Sequence, residues 1–278
     1  MLGVGVGFDT KGAGKIRVFR PNEDDAFLYD IPDTREGWVE SVRLLLLSYF
    51  DEGQRGVRFN YNKIRAKGEP LKTFGGVASG PDPLMELHSM INKKLSEFSP
   101  GDTLKMRDIV DIMNFIGKCV VAGNIRRSAE IAMGEYNDTE FIELKNYEKN
   151  PERMDYGWVS NNSILAKVGM DYTHAVDNIV KNGEPGFAWI ENMRNYGRMC
   201  DPPDYKDIKA AGGNPCLEQT LESYEMCTLV ETFPHHHRNY KDFEDTLELA
   251  FLYAKTVTLG LSHWNETNEV MARNRRIG

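Results

Sequence analysis

Stretches with a helical apolar period alternate with strand-like ones along this chain, and that alternation restricts the fold more than any other feature. Trp38, Val42, Leu45, Leu46 and Tyr49 form one apolar stripe on a helix opened by the capping pair Asp33 and Glu36. Further helices are predicted from about Leu84 to Phe98, with Leu84, Leu87, Ile91 and Leu95 inward, and from about Leu104 to Lys118, carrying Ile109, Ile112, Met113 and Ile116. Three more are expected near Asp138 to Asn146, Tyr172 to Lys181 and Phe243 to Thr258. Strands are expected over residues 3–8 and 16–19, and again at Cys119 to Val121, Glu130 to Met133 and Trp158 to Val159. The pattern is that of an α/β chain with a largely parallel sheet or barrel. Gly3, Gly5 and Gly7 have the spacing GxGxG and no helix follows directly, so a dinucleotide fingerprint is not the preferred reading.

The 278 residues carry a net charge of −8, which argues against a duplex nucleic-acid binder, because phosphate-backbone affinity comes from clustered Lys and Arg. Four cysteines without a dense framework fit a reducing compartment. Met1-Leu2-Gly3-Val4 lacks the basic and apolar regions of a signal peptide, and the apolar run Leu44 to Leu47 is too short to span a bilayer. A cytoplasmic protein without a membrane partner is the expectation.

Asn214-Pro215-Cys216-Leu217-Glu218, with Cys227 eleven positions beyond Cys216, is the segment richest in chemistry. If it is extended, a period of two puts Asn214, Cys216 and Glu218 on one face. A thiol can then carry redox or radical chemistry while a carboxylate moves a proton from a neighbouring hydroxyl, and an amide holds a polar group in place. An ordinary loop with an inert cysteine satisfies the same spacing. Ala122-Gly123-Asn124-Ile125-Arg126-Arg127-Ser128 is the second such segment: two adjacent arginines after a glycine can grip anionic oxygens, although a solvated basic turn reads the same way. Cys119 and Cys200 sit in no redox or metal spacing. Three consecutive residues, His235, His236 and His237, cannot all face one ion without a contorted backbone, so no metal site is expected.

Gly213 to Glu222 (GNPCLEQTLE), with Tyr224-Glu225-Met226-Cys227 behind it, closely resembles the finger-loop region of adenosylcobalamin-dependent (class II) ribonucleotide reductases. The likeness extends, in the same order, to Gly3–Gly14 (GVGVGFDTKGAG), Ile31–Val42 (IPDTREGWVESV), Ile64–Pro81 (IRAKGEPLKTFGGVASGP), Val120–Ile131 (VVAGNIRRSAEI), Tyr156–Ile164 (YGWVSNNSI) and Leu249–Gly278. It looks closest to the monomeric triphosphate-reductase branch. The resemblance implies a ten-stranded α/β barrel with a central finger loop, of which this chain would supply about half, as one domain over residues 1–278 truncated at both ends. It implies that Cys216 carries a thiyl radical that removes the 3′ hydrogen of a ribonucleotide, that Glu218 accepts the 3′-hydroxyl proton and that Asn214 orients the sugar. Cys227 would be one of two thiols that reduce the 2′ position.

By the same likeness, Gly123, Asn124, Arg126 and Arg127 would link an allosteric effector site to the substrate base, with Arg17 and Asp33 near the effector pocket. Adenosylcobalamin, a ribonucleoside triphosphate or diphosphate, a deoxynucleoside triphosphate effector and a thioredoxin-like dithiol donor are the expected cofactor and partners. Two other readings stay open: a split-protein partner whose uncovered half-barrel docks complementary reductase fragments, and an inactive nucleotide-binding fragment.

Overall fold

The structure is a computed structural model that describes residues 4–71, 75–122 and 128–278. The chain forms two units, Met1–Ala188 and Trp189–Gly278. In the first, strand β1 (Gly5–Asp9) is followed by β2 (Asn22–Asp30), helix α1 (Arg35–Phe50), β3 (Arg55–Asn60), α2 (Asp82–Ser96), α3 (Met106–Val121), β4 (Ala129–Glu135), the short α4 (Thr139–Ile142), β5 (Ser160–Leu165), α5 (Thr173–Asn182) and β6 (Gly186–Ala188). The second holds α6 (Ile190–Asn195), β7 (Gly212–Gly213), β8 (Thr220–Leu221), α7 (Tyr240–Val257) and α8 (Asn265–Asn274).

A four-stranded sheet runs in the order β1-β4-β5-β6 with every pair parallel, and β2 and β3 form a second parallel pair joined through α1. Parallel neighbours need crossovers, which is why helices separate them in sequence. The α/β expectation is therefore met. Gly5 faces Ala129, Glu130 faces Ser160 and Ser163 faces Gly186, so the register is continuous across the sheet. Helix α3 lies so close to β4 that a Cβ on Gly117 would come within 2.5 Å of Glu130 Oε1.

The apolar stripes fall where the sequence put them. Leu84, Leu87, Ile91 and Leu95 of α2 are buried with Val42, Leu45 and Tyr49 of α1 and Ile112 and Phe115 of α3, and Trp38, Leu46, Ile109 and Ile116 pack against that cluster. A second cluster joins Val110, Ala132, Phe141, Ile142, Leu144, Ile164 and Ala175. At its edge is a polar core: Arg153, fully buried, contacts Asp111, donates from Nε to the Leu144 carbonyl at 2.9 Å and from Nη2 to Asn114 Oδ1 at 3.3 Å.

Several elements differ from expectation. Residues 16–19 form no strand; Arg17 makes an isolated antiparallel bridge to Thr103, with Val18 N donating to Asp102 O at 2.8 Å. Thr34 caps α1 by accepting from Gly37 N at 3.0 Å, while Asp33 accepts from Arg65 Nε at 2.6 Å. Cys119 to Val121 continue α3, because a short apolar run carries no period of its own and here follows an amphipathic helix. Trp158 and Val159 lie in a 3-10 turn, Gly157–Val159, and the strand starts at Ser160, whose polar Ser-Asn-Asn-Ser opening has weak strand propensity. The helix expected over 138–146 shortens to Thr139–Ile142, where Asp138 accepts from Phe141 N at 2.8 Å.

His88, on α2, is 2% exposed and stacks on Phe59 with centroids 4.2 Å apart. Ser41 Oγ donates its proton to Trp38 O at 2.8 Å, so His88 Nε2–H donates to Ser41 Oγ at 3.1 Å and Nδ1 accepts from Tyr61 O–H at 2.7 Å. Burial pulls the imidazole down to about 4 from its usual 6.5. Between those values the unfolded chain binds the proton and the native chain does not, so this group's stabilisation is complete above about pH 6.5 and lost as pH falls toward 4. Denaturant titrations of the wild type and His88→Gln should show a stability gap that is largest above about pH 6.5 and shrinks by about 3 kcal/mol at about pH 4; a pH-independent gap would show that the ring is not held neutral.

Candidate active site

The four cysteine-loop residues singled out in the sequence all lie in the second unit, on a loop that doubles back on itself. Gly212 pairs with Leu221 and Gly213 with Thr220 in an antiparallel β7-β8 ladder, extended by Asn214 N donating to Gln219 O at 3.2 Å. A Cβ on Gly213 would meet Gln219 O at 2.5 Å, so glycine is what lets the two arms close. Leu217, at φ 62, lies in the left-handed region, and its N–H donates to Asn214 O at 2.8 Å to form the turn.

Residues 214–218 are thus not extended, and the period of two that would have aligned Asn214, Cys216 and Glu218 does not apply. A different contact joins two of them. Asn214 is buried; its Nδ2 donates to Glu218 Oε1 and its Oδ1 accepts from Gln219 N at 3.0 Å. Cys216 stands exposed at the tip and Cys227 is half-buried. The Cys227 thiol is pushed up first by burial and then by the Glu218 carboxylate, with Glu225 adding to it and Arg276 opposing. Glu218 and Cys227 are therefore coupled electrostatically, and Asn214 holds the carboxylate that couples them. A raised thiol keeps its proton near neutral pH, which suits hydrogen transfer better than nucleophilic attack by a thiolate.

A cluster that the sequence reading missed braces this loop. Arg276 Nη1 and Nη2 donate to the two oxygens of Asp207 at 2.9 and 2.6 Å, and its Nε and Nη2 donate to the two oxygens of Glu225 at 2.9 and 3.1 Å. The Glu225 side chain is fully buried and also accepts from Glu222 N at 2.7 Å and Asn274 Nδ2 at 3.0 Å. Thr220 donates to Asp207. Burial alone would pull the Arg276 guanidinium down, but its hydrogen bonds to Asp207 and Glu225 hold it above its ordinary value. The backbone adds a parallel bridge from Thr228 to Ile277, with Gly278 N donating to Thr228 O at 2.9 Å. The only sequence signal was an acidic residue inside the quoted Tyr224-Glu225-Met226-Cys227 and a basic run from Arg273 to Arg276, with nothing to connect them.

Gly123, Asn124, Arg126 and Arg127 lie outside the described residues. Cys119 is buried in α3, where burial pushes its thiol up to about 12, and Cys200 is exposed. Pro234–His236 form a 3-10 turn, and His237 bridges the Phe233 carbonyl and Thr246 Oγ1, each at 2.9 Å. Among the described residues no group of His, Cys, Asp and Glu could hold a metal ion, and no helix is long and apolar enough to cross a membrane.

Residues 9–95 match the family model described as the insertion domain of B12-dependent ribonucleotide reductase. An adenosylcobalamin-dependent ribonucleoside-triphosphate reductase of Euglena gracilis is 57% identical over 281 residues, covering 100% of this chain and 38% of that protein. One of the same description from Lactobacillus gasseri is 39% identical, covering 92% of this chain and 35% of its own length. A crystal structure of a B12-dependent (class II) ribonucleotide reductase superposes with TM-score 0.80 at 32% identity, over 99% of this chain and 40% of the other. The fold is that of the corresponding part of that enzyme, and the chain spans under two fifths of the length of the Euglena relative.

The four thiols should separate by environment. Brief iodoacetamide treatment at about pH 8 is expected to label exposed Cys200 and Cys216 first and Cys227 more slowly, with Cys119 labelled only after unfolding. Equal rates for Cys216 and Cys227 by peptide mass spectrometry would contradict the environment described for Cys227.

Proposed function

We infer that this chain, matched along its whole length to part of the B12-dependent ribonucleotide reductases, supplies the finger loop and part of the catalytic barrel for reduction of ribonucleotides to 2′-deoxyribonucleotides. The observation that carries the reading is the loop's arrangement: an exposed thiol at Cys216, and on the same turn an amide-held carboxylate at Glu218 whose charge reaches a second, half-buried thiol. The substrate class is a ribonucleoside triphosphate, as named for the relatives, with the diphosphate as the competing form.

The residues fit the named cofactor at one point, since the exposed Cys216 sulfur can be reached from outside the loop. Adenosylcobalamin, when bound, would supply the radical equivalent that takes the hydrogen atom of that thiol. Cys216 then removes the 3′ hydrogen atom of the sugar. Glu218, oriented by Asn214, accepts the 3′-hydroxyl proton. Cys227, with a second thiol, delivers two electrons and two protons; the 2′ hydroxyl leaves as water and the sulfurs end as a disulfide. Cys216 then returns the hydrogen atom to the 3′ carbon and Glu218 returns the proton to the 3′ oxygen, so the product keeps its 3′ hydroxyl and both groups end as they were before abstraction. Arg126 and Arg127 are proposed to join a deoxynucleotide effector to substrate choice, and a thioredoxin-like dithiol to re-reduce the pair.

An uncovered apolar face favours a further element of this reading. Helix α7 buries only Ala254, while Leu249, Leu252 and Tyr253, three and four residues apart on one face, are each at least 63% exposed. Such a face fits a complementary reductase segment.

Adenosylcobalamin-dependent, dithiol-driven reduction of labelled CTP and CDP tests the proposal, with the chain alone and with polypeptides covering the rest of the relatives' length. Activity is expected in the mixture, abolished by Cys216→Ala and lowered about 10²- to 10⁴-fold by Glu218→Gln. Reduction that persists in Cys216→Ala would rule out the radical role, and reduction without added cobalamin would rule out the cofactor.

A further inference from the structure

Both arms of the candidate loop end on the same guanidinium. One arm runs from Glu218 through Thr220, whose hydroxyl donates to Asp207; the other runs back from Cys227 to Glu225. Arg276 holds Asp207 and Glu225 together with four hydrogen bonds of 2.6 to 3.1 Å. Planar and doubly bidentate, a guanidinium fixes the separation and the angle of its two carboxylates at once, which a flexible ammonium cannot do.

We propose that Arg276 is a positioning residue that fixes the Cys227 thiol relative to the Glu218 carboxylate by tying Glu225 to Asp207 and Thr220. Glu225 and Thr220 each lie two residues from the group they serve, so little slack remains between the fork and the reacting atoms. Neither Asp207 nor Arg276 touches substrate in this scheme; both act through the backbone of the loop. The importance of the spacing for reduction rests on the reading given above, but the spacing itself can be measured without turnover.

The measurement is the pH profile of Cys227 alkylation by iodoacetamide, followed on the Cys227 peptide by mass spectrometry. The charged groups facing this thiol are Glu218, Glu225 and Arg276. In the wild-type background, Glu218→Gln removes a nearby negative charge and should lower the Cys227 midpoint by about half a pH unit. In Arg276→Lys the charge at 276 is kept and the fork is lost, so the same Glu218→Gln step should lower the midpoint by less than half as much. This double-mutant comparison cancels the direct effect of the 276 charge.

Amide exchange at Thr228 and Val230, which donate to Arg276 O and Gly278 O at 3.3 and 3.0 Å, reports whether the unit stays folded. Equal shifts in the two backgrounds, with those amides protected, would overturn the proposal. If Arg276→Lys loses that protection, Asp207→Asn is the replacement background; it keeps the Arg276–Glu225 pair and weakens the other anchor. Coupling must shrink there too, and an undiminished shift would equally overturn the proposal. Coupling that depends on Arg276, with no nucleotide reduction even in the mixture with the remaining polypeptides, would sink the reductase reading and leave this one standing. Reduction with coupling indifferent to Arg276 would do the reverse.

Discussion

A guanidinium drawn out of water has to be met by oxygen atoms, and among the described residues Arg153 in the first unit and the partly buried Arg276 in the second show it. Arg153 has no exposed side-chain surface and is met by Asp111, the Leu144 carbonyl and Asn114. Arg276 is met by Asp207 and Glu225. Leaving a buried charge without its partner costs about 3–5 kcal/mol, so each arginine fixes the backbone of every segment that answers it. For Arg153 those segments are α3 and the stretch after α4; for Arg276 they are the two arms of the cysteine loop. The pairs need not add net stability over an apolar filling, but they restrict which arrangements of those segments are tolerable.

That restriction explains an otherwise odd strand. β5 opens with Ser160, Asn161, Asn162 and Ser163, a poor sequence for the middle of a parallel sheet. Ser160 Oγ donates to Asn162 Oδ1 at 2.9 Å, Asn114 Nδ2 donates to Glu130 Oε2 at 3.0 Å, and Asn162 N donates to Glu184 Oε2 at 3.1 Å. The polar strand is paired from below by the network that also holds Arg153. Glu130, pushed up by burial to about 7, is close to half-protonated at neutral pH, which lessens the charge this network has to carry.

How much of this was legible in the sequence depended on distance along the chain. Stripes such as Leu84-Leu87-Ile91-Leu95 are local patterns, and all four are buried on α2 as read. Thr34 against Asp33 as the cap of α1 was a one-residue miss, decided by which side chain reached Gly37 N and which was drawn to Arg65. Residues 214–218 were singled out for a geometric reason that fails: positive φ at Leu217 folds the segment, and the Asn214–Glu218 contact comes from the turn. Arg276 was not found, because its partners lie 69 and 51 residues away and no period or spacing encodes a pairing across that gap. The segment containing Arg126 and Arg127 was singled out for its adjacent arginines and then by likeness, and it lies outside the described residues.

The two thiols of the loop illustrate what such long-range pairing achieves. They sit on one short segment, yet Cys216 is exposed and Cys227 is half-buried beside carboxylates. Burial and the negative charge of Glu218 both favour the protonated sulfur at Cys227. A neutral thiol is the form that can give up a hydrogen atom, whereas a thiolate would favour nucleophilic chemistry. Arg276 opposes that bias, since a bare cation close to the sulfur would favour the thiolate. Its charge is instead met by Asp207 and Glu225, which leaves Arg276 to act on the loop mainly through geometry. The same fork that ties the two arms together thus leaves the Cys227 thiol biased toward its protonated form.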